Sequence, residues 1–187
     1  MKVMVWIIVG VIILLIIVFF VAFYNRLVGL KNKVKEAFST IGVYLKKRYD
    51  LIPNLVETVK GYANHEKSTL ENVTQARNVA MGATNAEDKF AAENMLTGTL
   101  KSLFAVAESY PDLKANTNFL DLQRQLQAIE DEIAMSRKYY NANVREYNIA
   151  VQSFPNNIVA GITGFKEEPY FEVDEASTQP VEVKFND

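Results

Sequence analysis

Apolar residues fall into three regimes along this chain, and the first is unbroken. Val3 to Tyr24 is 22 residues without a charge. A helix of that length spans about 33 Å, against a bilayer hydrocarbon core of about 30 Å. Lipid offers backbone groups no partners, so such a run crosses a membrane as a helix. A cleaved signal peptide is the competing reading. It calls for a shorter apolar core and a small-residue cleavage site. Here Ala22 is preceded two positions earlier by bulky Phe20, so the expectation is an uncleaved anchor over residues 3–24, with 1–2 beyond it.

From Leu27 the pattern becomes helical and one-sided. Leu27, Leu30, Val34, Ala37, Ile41 and Tyr44/Leu45 step by three and four. The rhythm resumes at Ile52, Leu55, Val59 and Tyr62 after Arg48 takes one core slot. Gly29 alone does not stop a helix, so the anchor is expected to run on into this segment. Pro53 removes a hydrogen bond to Tyr49, and a kink or short break is expected there. Leu70, Val73, Ala76, Arg77 and Ala80 form a second stripe ending near Gly82. Asn85 is a cap for a third helix, with Phe90, Met95, Leu96, Leu100, Leu103, Phe104 and Val106/Ala107 on its apolar face. Tyr110-Pro111-Asp112 closes it. Phe119, Leu122, Leu126, Ile129, Ile133, Tyr140, Val144, Tyr147 and Val151 predict a long fourth helix with a coiled-coil-like seam, which only Ser136 interrupts.

The third regime follows Phe154-Pro155. Tyr170–Val173 and Val181–Phe185 alternate with period two, as extended segments that pair or lie along the helices. The predicted fold is all-α: a transmembrane helix, an antiparallel up-and-down four-helix bundle over 25–155, and an extended tail over 156–187.

Charge sharpens this picture. Arg26, Lys31, Lys33 and Lys35 follow the anchor, opposed only by Glu36, while Lys2 alone precedes it. The positive-inside rule then places the long C-terminal part in the cytoplasm. The absence of cysteine fits a reducing compartment and rules out a lipoprotein anchor. Residues 26–48 sum to +6 and residues 165–187 to −5. Two readings of the basic stretch stand side by side. In one, Arg26, Lys31, Lys33 and Lys35 meet anionic lipid; in the other they are a solvated helix face that only sets topology.

Candidate chemistry is sparse. His65-Glu66 opens like a zinc-peptidase signature, but Thr69 stands where the second histidine belongs, and His65 is the only histidine. Its plainer reading is a polar residue at a helix junction; the sharper is a proton-sensitive contact beside Glu66. Neither a GxGxxG nor a P-loop pattern is present. Glu130, Asp131 and Glu132 read as a solvated face. The expectation is a protein without catalytic residues, cofactor or metal, and without nucleic acid as a partner.

Certain blocks are more specific. Tyr24-Asn25-Arg26-Leu27-Val28 is followed by Val43-Tyr44-Leu45-Lys46-Lys47-Arg48-Tyr49-Asp50-Leu51-Ile52-Pro53-Asn54-Leu55-Val56, then by His65-Glu66 and Ala76-Arg77. Tyr147-Asn148, Phe154-Pro155 and Gly164-Phe165 complete the series. In these the chain resembles the LemA family over nearly its whole length. The resemblance implies a bacterial inner-membrane protein with a short outer N-terminus and a cytoplasmic helical bundle, and carries no catalytic residue. Matching polar positions Arg48, Asp50, Asn54, His65, Glu66, Arg77 and Asn148 are expected to form a buried network that sets how the helices align. On that view Arg77→Ala lowers stability by a few kcal/mol.

Two functions suit such a chain. One is a self-associating scaffold that organises or remodels the membrane, with lipid and other copies of itself as partners. The other is an adaptor for another membrane protein, such as a protease or envelope-stress component, docked through the acidic tail.

Overall fold

A computed structural model describes residues 2–172. Regular structure among them is helical throughout: α1 (Lys2–Lys60), α2 (Lys67–Gly82), α3 (Ala86–Ala107), α4 (Pro111–Lys114), α5 (Thr117–Gln152) and α6 (Asn156–Thr163). The extended segment expected over Val181–Phe185 lies outside the described residues. Two compact units are present. The first holds residues 2–42 with Ala134–Tyr170; the second holds Val43–Ile133 and, among the described residues, Phe171 and Glu172.

In the first unit, α1 begins as an apolar helix left uncovered among the described residues: every residue from Val3 to Phe19 is exposed. A helix apolar all round belongs in a membrane or a protein interior, and this one is long and apolar enough to cross a membrane. Cover starts at Phe20 and Phe23, which are half-buried, and at Leu27 burial is complete. Leu30, Val34, Ala37 and Ile41 continue the stripe, and Tyr140, Val144 and Tyr147 on α5 are buried in the same unit. Phe38 lies 6.0 Å from Tyr140 between ring centroids.

In the second unit the stripe of α1 runs through Leu45, Arg48/Tyr49, Ile52, Leu55 and Val59, all buried. Helices α2 and α3 pack on one another across the three-residue connection 83–85. Asn85 caps α3: its side-chain oxygen accepts from the Asp88 amide at 2.8 Å. Asn116 does the same for α5, accepting from the Phe119 amide at 2.9 Å. Proline at the first position of α4 needs no amide partner there.

Four expectations change. Helix α1 does not break at Pro53, which sits on its exposed side. Met95 is exposed while Glu93, two residues earlier, is buried in its place. Tyr62 lies beyond the end of α1 and is 43% exposed. The tail is not extended from residue 156, because Asn156–Thr163 forms α6. That helix ends where Gly164 takes φ 78°, a conformation suited to glycine.

Candidate functional site

Two polar constellations stand out, one in each unit. In the second unit Arg48 is fully buried. Its guanidinium donates to the Glu93 carboxylate on α3, to Glu130 on α5 at 2.8 and 3.1 Å, and to the Thr97 hydroxyl at 3.2 Å. The Tyr49 hydroxyl donates to the other oxygen of Glu93, which is also fully buried. Burial works against the charged guanidinium, but the carboxylates of Glu130 and Glu93 outweigh it and raise the Arg48 pKa. Burial, then the Glu93 hydrogen bond and charge, drive the Tyr49 phenol well above its usual range.

Helix α2 joins through Arg77. Its Nε–H donates to the Tyr49 carbonyl at 2.8 Å. This explains the unbroken helix. The Tyr49 carbonyl is the acceptor that an amide at position 53 would normally engage, and Pro53 has none. Arg77 supplies the missing donor from a neighbouring helix. One turn on, Lys89 donates to the Ala80 carbonyl at 2.7 Å, placing a cation on the C-terminal turn of α2. Side chains of α1, α2, α3 and α5 thus meet in one junction within this unit.

In the first unit the chain after α6 is a strap held by side chains that grip its backbone. Tyr147 Oη donates to the Lys166 carbonyl at 2.8 Å, and Tyr140 Oη to the Pro169 carbonyl at 2.8 Å. Asn148 grips Glu168 at both ends, its amide donating to the carbonyl and its oxygen accepting from the backbone amide, each at 2.9 Å. Phe165 lies 5.8 Å from Tyr24, with Lys31 5.8 Å above its ring. Lys31 also pairs with Glu168 at 3.3 Å. Burial, then the charge of Glu168, pushes the Tyr140 and Tyr147 hydroxyls up to about 12.

The expected network therefore divides. Arg48 and Arg77 share the junction, and Asn148 belongs to the strap in the other unit. Asp50 pairs with Lys46 at 2.6 Å on the surface. Asn54 and His65 are exposed, and Glu66 accepts from the Tyr110 hydroxyl at 3.2 Å, away from Arg48. Of the basic residues after the anchor, Arg26, Lys33 and Lys35 are exposed, while Lys31 is turned onto the strap.

Glu93, Glu130, Tyr49 and Thr97 complete the junction, yet none is among the polar positions the sequence pattern singles out. Glu93 lies three residues after Phe90 and three before Leu96, on the buried face of α3, so its position was a signal. Glu130 is not on a solvated face: it flanks Leu126 and Ile133, and its side chain is 28% exposed.

A match to the LemA family covers residues 37–185. Protein LemA of Metamycoplasma hominis is 29% identical over 140 residues, taking in 73% of this chain and 63% of that protein. Magnetosome protein MamQ 2 of Paramagnetospirillum magneticum is 26% identical over 184 residues, or 84% of this chain and 68% of its own length. Magnetosome protein MamQ of Magnetospirillum gryphiswaldense is 24% identical with the same coverage. This chain thus spans just under two thirds of that LemA protein. With the match extending over most of its length, from the stripe of α1 through the junction and the strap, the chain belongs to the LemA family.

Proposed function

We propose that this protein is a membrane-anchored scaffold that self-associates and organises or remodels a bacterial inner membrane, with its helical part in the cytoplasm. In this reading α1, α2, α3 and α5 form an antiparallel up-and-down four-helix bundle, and the protein acts through its shape rather than as a catalyst. The observation that carries it is α1 itself. One uninterrupted helix bears both the uncovered apolar run and the Arg48–Tyr49 pair, where Arg48 takes carboxylates from α3 and α5 and the Tyr49 carbonyl accepts from Arg77 of α2. An element built that way suits a part that passes structure on from a membrane. Similarity to proteins named as magnetosome proteins supports the same reading. Membrane lipid and further copies of the chain are the partners.

Electron microscopy of the full-length protein, gently extracted and also left in its membranes, tests this. Rings, shells or arrays of many copies are expected. Small dispersed particles beside unaltered membranes would replace the scaffold with an adaptor that waits for another protein.

A further inference from the structure

Residues 147–165, from Tyr147 to Phe165, form a run of 19 without a charge between Glu146 and Lys166. The strap accounts for its two ends, where Tyr147, Asn148 and Phe165 contact protein. Helix α6 occupies the middle and is two-faced. Asn156, Val159 and Ala160 are buried at 3%, 1% and 2% exposure, whereas Ile158 and Ile162 are exposed at 53% and 70%. Phe154, just before the helix, is 80% exposed. Ile158 and Ile162 are four apart, one turn above the other on a single helical face. Exposed apolar residues are ordinary when scattered. A bulky aligned set inside an uncharged run is not.

Location supplies the second observation. Gly164 ends α6, and the next residue, Phe165, lies 5.8 Å from Tyr24. Tyr24 is the last residue of the apolar run of α1, and Arg26 follows two positions later. The C-terminal end of α6 therefore sits where α1 passes from an apolar to a charged surface, and both belong to the same unit. An uncovered span and an uncovered isoleucine face adjoin there.

We infer that α6 is a second membrane contact, lying in the interfacial layer beside the span with Phe154, Ile158 and Ile162 turned into lipid. Lipid is the occupant because the patch continues the surface that α1 presents to lipid, with exposed Arg26 and Lys166 at its border suited to headgroups. A single crossing helix leaves its unit free to spin about the helix axis; a second contact at the rim removes that freedom. The inference rests on anchoring by α1 and is independent of self-association.

Indole fluorescence of the full-length chain in vesicles, at less than one copy per vesicle, tests it. The chain has one tryptophan, Trp6, so Trp6→Phe provides a silent background. In it, Ile158→Trp and Ile162→Trp should emit at shortened wavelength and be quenched several-fold more by brominated phosphatidylcholine than by aqueous iodide. Val79→Trp, at an exposed position of α2, should show the reverse. The inference is overturned if Ile162→Trp behaves like Val79→Trp. It is overturned equally by shortened emission without lipid quenching, which would mean cover by protein. Trp6 in the parent chain separates the two readings. Quenching of Trp6 by brominated lipid, with none at Ile162→Trp, removes α6 from the membrane and keeps the anchor. No quenching of Trp6 removes both.

Discussion

The junction around Arg48 and the strap around Asn148 both hold helical elements together with buried polar groups, yet they do so by opposite means. The junction is ionic and recognises side chains: Arg48 requires the carboxylates of Glu93 and Glu130, supplied by two different helices. The strap is held mainly by neutral groups that recognise backbone: two phenols and one amide address the carbonyls of Lys166, Glu168 and Pro169 and the amide of Glu168, with the partly exposed Lys31–Glu168 pair beside them. An ionic junction fails steeply when one member is lost, because a buried charge remains without its partner. A backbone grip loses one modest hydrogen bond at a time and tolerates change in the gripped residues. The first depends on which side chains meet; the second depends mainly on the path of the gripped backbone.

Breaking the junction at its centre should have the largest effect. Arg48→Met strands Glu93 and should lower unfolding free energy by about 3–5 kcal/mol, read by denaturant titration of the full-length protein in detergent. Arg48→Met combined with Glu93→Leu should recover much of that loss; no recovery would mean the charges are not what makes the site steep. Arg77→Ala comes next, at about 1.5–3 kcal/mol, since it removes one charged donor from a carbonyl that Pro53 leaves without an amide. Asn148→Ala removes two neutral bonds and should cost about 1–3 kcal/mol. Its signature is local: faster amide exchange at residues 165–170 with protection in α2 and α3 unchanged.

Alkali sharpens the contrast with the smallest effect at neutral pH. The hydroxyls of Tyr140 and Tyr147 have folded values of about 12, above the usual 10.0. A raised value means the folded chain keeps its proton longer, so this contribution is whole below about pH 10 and is lost as pH climbs to about 12. A phenolate can no longer donate to a carbonyl. Melting temperature should fall across that window, and Tyr140→Phe with Tyr147→Phe should flatten the fall while lowering the plateau. An equally steep fall in the double variant would place the alkaline sensitivity elsewhere.

Most helices were legible because their apolar spacing is regular, and Arg48 was legible because it occupies a slot in that spacing. Its partners were not. Glu93 stands on the apolar stripe of α3, but hydrophobicity alone ranks the thioether of Met95 above a carboxylate. Glu130 was hidden by its neighbours Asp131 and Glu132, which make a solvated face the simplest reading. Asp50 and Asn54 carried a motif without facing the core: period places a residue on a helix, but the packing of other helices decides which flank is covered. Helix α6 escaped because eight residues between a proline and a glycine are too few for a period to show, and tertiary contact rather than propensity sustains so short a helix.

Pro53 and Arg77 stand 24 positions apart, yet one carbonyl binds their fates. With the proline in place, loss of the arginine leaves an acceptor in want of a donor; with an amide-bearing residue at 53, the arginine becomes dispensable. Substitution at either position is thus cheapest after substitution at the other. In descent the two should travel as a pair, a single inherited trait written at two places in the chain.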